Sequence, residues 1–334
     1  MRKLYLILLV QFALSNLSFS ETLPLTQRFF HTEDLGHTYT RGTYFIVLAD
    51  SSLKSVLEET DTGNFIHFKQ TQGYDVVVES IDKMGGTADN IRNYLLDFAA
   101  NENVFLEYVL LIGDVDLLGS YTVPTHSIMS YNEAEFDVTD YTYTYQDNEI
   151  LHPEFFIGRW SIRSTDDLKK LKLRSIQYIK MDNIQDYSYL NKAMTVAGNY
   201  SDGDLQPVTP VWTSNWLKDE LIHFGYNQVD TAYYYNESNF QWSNDIEKVW
   251  NDGVGIINYR GWGDAKGWKY PAFRNVNIDG TEGNLNNGWR LPVVLSFVCN
   301  TGDFGNDGVP SCFGEKMVTA GSLNNPKGAA AMVG

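Results

Sequence analysis

TADNIRNYLLDFAANENVFLEYVLLIGD, residues 87–114, shows in one stretch how this chain is built. Thr87 is a helix cap, and Ile91, Leu95, Phe98 and Ala99 fall on one face of a helix running to about Ala100. Tyr108 to Ile112 (YVLLI) is then apolar without alternation and stops at Gly113-Asp114. A strand apolar at every position is covered on both faces, which is the signature of a parallel sheet between helices. Upstream the same alternation recurs. Thr43 to Ala49 (TYFIVLA) is a strand followed by a helix-compatible stretch from Ser52 to Thr60. Phe65 to Gln72 is amphipathic and leads through Gly73 into a second strand, Tyr74 to Ser80 (YDVVVES). The first half therefore reads as a doubly wound α/β unit.

Downstream, Val115 to Pro153 has no helical period and is rich in Thr, Tyr, Asp and Asn; a connection that long is often functional. Phe155 to Ile157 is a short strand, and Ser164-Thr165-Asp166-Asp167 opens a helix to about Met181. A second α/β series follows, with strands at Ala193–Ala197, Gly255–Tyr259, Leu291–Val298 and Gly328–Val333 and helices near Trp212–Phe224 and Trp242–Trp250. The expected organisation is α/β, with doubly wound, mostly parallel sheets in two adjacent subdomains, residues 41–185 and 186–334. The closing KGAAAMVG is an apolar strand with no helix or polar tail after it, as expected of a piece of a longer chain.

Met1 to Ser20 has a basic start (Arg2, Lys3), an apolar run from Leu4 to Leu14 broken by Gln11, and a small-residue end, which is the pattern of a secretory leader. Residues 21–40 are expected to be an N-terminal or pro-segment remnant, and the protein to be secreted or displayed at the cell surface. The apolar run is shorter than the roughly 20 residues of a spanning helix, so no transmembrane helix is expected. With 43% hydrophobic and 20% charged residues the chain is a folded globule rather than a disordered one. A formal charge of -17 repels polyanions, and nucleic acid is set aside as a partner.

Ligands of open α/β sheets bind beyond the carboxyl ends of the strands. Three such places carry reactive residues: Asn258 to Asp264 (NYRGWGD), Cys299 to Phe304 (CNTGDF), and the long loop after Asp114, which holds His126 and Asp140. Cys299 is the strongest nucleophile among them. It is equally read as a buried small side chain, or as half of a disulfide with Cys312, the second of two cysteines. Gly261 and Gly263 bring the backbone close to a substrate and offer amides to an oxyanion, or simply make a tight turn.

Several of these blocks resemble the gingipain-like cysteine peptidases, family C25, which share a caspase-like fold. NYRGWGDAKGW (258–268) is similar to the family block built on N-Y-x-G-H-G and a later tryptophan, and SFVCNTGDF (296–304) with PSCFGEKM (310–317) to its nucleophile strand. YVLLIGD (108–114), VTDYTY (138–143), PEFFIGRW (153–160) and FKQTQGYDVVV (68–78) match first-subdomain blocks in the same order. The likeness runs from about Arg41 to the last residue. It implies a caspase-like fold and cysteine-type endopeptidase activity on peptide or protein substrates, with Cys299 as nucleophile and Asp140 as the acid orienting a histidine. Trp262 stands where the family has that histidine, and an indole accepts no proton at neutral pH. His126 and His152 are the candidate surrogate bases. A non-catalytic descendant that binds peptide or serves the surface or secretion is the alternative. Counting ten positions from Asp140 to the place of the arginine-selecting acid lands on Ile150, with Asp147 and Glu149 beside it. The family implies no required cofactor, calcium as an optional ion, and further C-terminal domains, among them an immunoglobulin-like module.

Overall fold

The computed structural model describes residues 41–115, 119–129, 136–146, 149–199, 208–234, 242–279, 285–306 and 308–334. The expected leader, the segment 21–40 and Asp147 lie outside the described residues. Arg41–Gly334 is one compact unit, and it contains two parallel sheets.

The first sheet is built from β1 (Thr43–Leu48), β2 (Asp75–Ser80), β3 (Leu106–Ile112) and β6 (Phe156–Trp160), in the order β2-β1-β3-β6. The unbroken apolar runs are explained by two cores. Phe45, Val47, Val109 and Leu111 face helix α3 (Ala88–Ala99) through Ile91 and Leu95. The alternate residues Ile46, Leu48, Leu110 and Ile112 face α1 (Leu53–Glu58), α2 (Phe65–Thr71) and α4 (Thr165–Lys180). Caps fix where the longer helices begin, since Thr87 accepts from the Asn90 amide and Ser164 from the Asp167 amide.

The second sheet has the order β14-β13-β9-β7-β8, all parallel: β7 (Lys192–Ala197), β8 (Gln228–Tyr233), β9 (Ile256–Arg260), β13 (Val293–Phe297) and β14 (Ala331–Val333). One face packs Met194, Val196, Ile257, Tyr259 and Val294 against Ile246 and Trp250 of α6 (Trp242–Asp252) and Phe313 and Met317 of α8 (Phe313–Thr319). A small antiparallel sheet, β10 (Gly263–Asp264), β11 (Gly267–Lys269) and β12 (Ala272–Arg274), adds Trp268 and Phe273 to that core. The other face is covered by α5 (Val208–His223), where Val211 meets Ala197 and Tyr233. Arg174 of α4 donates to the carbonyls of Met317, Ala320 and Lys327, which ties the helix of the first half to the end of the second.

Several sequence expectations change. The stretch 115–153, read without secondary structure, contains the hairpin of β4 (His126–Met129) and β5 (Phe136–Thr139) and a 3-10 turn at Tyr141–Thr144. Four-residue strands are too short to show a period. Edge strand β8 is not among the expected strands because QVDTAY is half polar and only Ala232 and Tyr233 are buried. α5 starts four residues before Trp212, and the terminal strand begins at Ala331 rather than Gly328, whose φ of +90 ends the preceding turn. α7 (Asn275–Asp279) and α8 were also not expected.

Candidate active site

In the second sheet the chain leaves β7 to one side for β8 and to the other for β9, and the loops after β7, β9 and β13 meet at the carboxyl edge. They meet closely. The Gly198 amide donates to the Arg260 carbonyl at 2.7 Å. A Cβ on Gly261 would sit 2.5 Å from Tyr259 Oη and 2.7 Å from Gly198 Cα, and one on Gly263 would sit 3.2 Å from Thr301 Cγ2. Neither Gly261 nor Gly263 has a positive φ. Both are glycine for want of room, not for backbone conformation.

Cys299 lies two residues after the end of β13, in a turn whose next residue, Asn300, takes φ +58, a left-handed geometry that Asn tolerates better than most residues. The turn is pinned from below. Buried Thr301 and Ser296 bond through their hydroxyls at 2.9 Å, and Trp268 Nε1 donates to Ser296 Oγ at 2.9 Å. Trp268 itself stacks on Tyr259 at 4.5 Å, so the Cys299 turn, β9 and β11 form one rigid block. Cys299 is exposed and Cys312 buried, and both are free thiols; the disulfide alternative is not formed. Burial pushes the Cys312 thiol far up, helped by the Glu315 charge, which makes it inert. The readings of Cys299 as a buried hydrophobe or a disulfide partner therefore give way to an accessible thiol at a strand end.

Trp262 is clamped. Its ring stacks on Tyr270 with centroids 5.7 Å apart, and Lys269 Nζ lies 3.9 Å from its centroid. Its amide donates to Tyr259 Oη at 3.1 Å, and the same hydroxyl donates to its carbonyl at 2.8 Å.

Asp140 is occupied by a residue the sequence reading did not single out. Arg159 of β6 donates Nε to Oδ2 and Nη2 to Oδ1, each at 2.7 Å, and Thr125 Oγ1 donates to Oδ1 at 2.7 Å. The pair is buried, with the two side chains 5% and 11% exposed. Arg159 Nη1 also serves the carbonyls of Gly113 and Val123, and its guanidinium lies 5.1 Å from the ring centroid of Phe304, five residues beyond Cys299. Asp140 thus braces the first sheet and the loop behind the cysteine, and among the described residues no histidine shares it. The signal available was the IGRW block itself, whose arginine is next to last in β6.

The surrogate histidines are engaged elsewhere. His126 Nε2 lies 3.2 Å from Asp89 Oδ1 at the start of α3, and its ring meets Tyr143 edge-on. His152 is exposed in a turn, where its amide bonds the Glu149 carbonyl. Glu149 and Ile150 are exposed beside it, and the Ile150 carbonyl accepts from Tyr141 Oη. Neither histidine has a hydrogen bond or ring contact to Cys299 or Trp262; Gly263 packs on Val298 and Thr301, which flank the Cys299 turn.

Between the facing edges of the two sheets lies a cavity of about 650 Å³ lined by Asp140, Arg159, Phe304, Cys312, Glu315 and Met332 among others. Burial raises the Glu315 carboxyl to about 7, with the Asp114 charge adding to it. Ser161 and Arg163 lean the other way, but no hydrogen bond of proper geometry reaches Glu315 Oε1. Its other oxygen caps α8 by accepting from the Cys312 amide at 2.8 Å. Among the described residues no three His, Cys, Asp or Glu side chains converge to hold a metal ion.

The model of peptidase family C25 matches residues 37–334. Gingipain R2 of Porphyromonas gingivalis strain ATCC BAA-308 / W83 is 26% identical over 285 residues, 82% of this chain and 35% of the relative. A Gingipain R1 of Porphyromonas gingivalis is 25% identical over 82% of this chain and 26% of its own length. The chain thus spans roughly a quarter to a third of these curated relatives. The crystal structure of the Arg-specific cysteine proteinase gingipain R superposes with a TM-score of 0.70 over 87% of this chain and 62% of that one, at 22% identity. The complex of the RgpB pro- and mature domains gives 0.68 over 87% and 63%, at 23%. These likenesses carry the caspase-like fold, and the family match across nearly the whole unit carries the conclusion: the chain belongs to peptidase family C25.

Proposed function

We propose that the chain is an exported thiol peptidase that takes a peptide at the carboxyl edge of the second sheet and attacks it through Cys299. The observation that carries this reading is the exposed free thiol on a turn pinned through Thr301, which packs against Gly263. Sγ adds to a substrate carbonyl, the amine leaves with a proton, and water releases the acyl group from the thioester. In this reading backbone amides near Gly261–Gly263 or Cys299 hold the oxyanion.

Among the described residues no imidazole is hydrogen-bonded to the thiol, so no general base assists the attack. Turnover is accordingly slow. The clamped Trp262 favours a second reading, in which the cleft binds peptide without cleaving it. Export rests on the leader pattern at 1–20, and among the described residues no helix is long and apolar enough to cross a membrane. Calcium is a proposal from the resemblance alone, and the chemistry at Cys299 runs through no ion.

The test is incubation of the purified chain with a mixed peptide library and a thiol-directed probe, beside Cys299→Ala and Trp262→His. Cleavage that disappears in Cys299→Ala upholds the peptidase reading. Absence of both cleavage and labelling at Cys299 ends it. Trp262→His, by supplying a base, is expected to raise cleavage by about 10²-fold or more.

A further inference from the structure

The strand-end block NYRGWGDAKGWKYPAFR, residues 258–274, carries four cations, Arg260, Lys266, Lys269 and Arg274, against one carboxylate, Asp264, in a chain whose formal charge is -17. The single acid is already taken. Asp264 lies 2.9 Å from Arg274 Nη2 and 3.3 Å from Lys269 Nζ. Lys269 in turn covers the Trp262 ring. Arg260 has no such partner: its one side-chain contact among the described residues is a 3.0 Å bond from Nη1 to the carbonyl of Phe297, the last residue of β13. Asp303, the nearest acid along the chain after Cys299, accepts from Asn306 Nδ2 instead.

Position makes this guanidinium important. Arg260 ends β9, pairs in register with Phe297, and immediately precedes Gly261-Trp262-Gly263. Two residues of chain span at most about 7 Å, which places the Arg260 head within roughly 10 Å of the Cys299 backbone. That is the distance over which the side chain of a residue bound at the nucleophile extends. One N–H of the fork is used and the others remain to grip a carboxylate. At physiological salt, charges beyond about 8 Å are screened, so a bound peptide meets this local cation cluster rather than the acidic bulk of the protein.

We infer that Arg260 is a specificity residue of this cleft and selects peptides bearing an acidic side chain next to the carbonyl facing Cys299, with Lys269 above Trp262 reinforcing the preference. This rests on the reading of the cleft as a peptide site. It runs opposite to the basic-residue selection considered for Asp147, Glu149 and Ile150.

The experiment uses three peptidyl acyloxymethyl ketones identical except for Asp, Asn or Lys beside the electrophile, with labelling of Cys299 followed by intact mass. Rates are expressed as the Asp/Asn ratio within each variant, which cancels any change in the thiol itself. The wild type is expected to give a ratio of about ten or more, as a charge-assisted hydrogen bond supplies. Arg260→Gln should bring the ratio near one, while Arg260→Lys keeps part of it. A wild-type ratio near one, a ratio that survives Arg260→Gln, or fastest labelling by the Lys probe would overturn the inference. Iodoacetamide on the wild type tests the nucleophile separately. If it leaves Cys299 unmodified, the peptidase reading fails, and fluorescence anisotropy of the matching Asp and Asn peptides decides the specificity. An approximately tenfold preference lost in Arg260→Gln upholds it, and equal affinities refute it.

Discussion

Replacing Asp140 by Asn separates two roles that its position allows. As an acid that merely orients a base, Asp140 would be dispensable to the fold. The structure makes it the counter-ion of Arg159, with two 2.7 Å bonds from the guanidinium and both side chains at or below 11% exposure. An Asn amide has the same shape but turns one acceptor into a donor facing the Nε or Nη2 hydrogen, and it strips the charge from the pair. Leaving one member of a buried pair uncompensated costs about 3–5 kcal/mol. For a compact unit of this size that corresponds to a fall in Tm of roughly 5–8 °C. Urea unfolding followed by far-UV circular dichroism measures it, and Cm should drop with m unchanged. The double variant Asp140→Asn with Arg159→Met should recover part of the loss, because it removes the stranded cation. A loss below about 0.5 kcal/mol, or a double variant worse than the sum of the singles, would refute the assignment of Asp140 to a structural pair.

Glu315 gives a pH signature. Its carboxyl is raised to about 7 by burial, so the folded state holds a proton that the unfolded chain releases near the ordinary value of 4.5. The associated stability is full below about 4.5 and is lost as pH climbs through 7, by about 3 kcal/mol. Glu315→Gln keeps the acceptor for the Cys312 amide and removes the titration. The stability of this variant relative to wild type should therefore grow from pH 4.5 to 8, and a constant difference would contradict the raised carboxyl. For the thiols, Ellman's reagent should react with one cysteine in the native protein and two after denaturation. Two fast native thiols, or none, would contradict the burial of Cys312 or the exposure of Cys299.

The parallel sheets were legible because their strands are apolar at every position, and the two cores of the first sheet, Phe45 and Val47 on one side, Ile46 and Leu48 on the other, are the reason. Cys299 and the glycines around Trp262 were legible because they come just after such strands. The β4–β5 hairpin was not, since four residues with half-polar character leave no period to detect. The Ser296–Thr301–Trp268 bonds that hold the Cys299 turn escaped the same reading, because hydroxyl pairs five residues apart carry no pattern and the indole arrives from a different sheet.

By itself the sequence determined the alternation of buried strands and amphipathic helices, the position of one thiol after a strand, and the setting of Trp262 between two glycines. These are local facts, set by which side chains must leave water and by the order of residues along the chain. Only the tertiary structure decided that Asp140 belongs to Arg159, that His126 belongs to Asp89, that Cys312 is sealed while Cys299 is open, and that Arg260 reaches the end of β13 with no carboxylate beside it among the described residues. Charge pairing and burial depend on which distant segments share a few ångströms, and that proximity exists only once the sheets have been assembled.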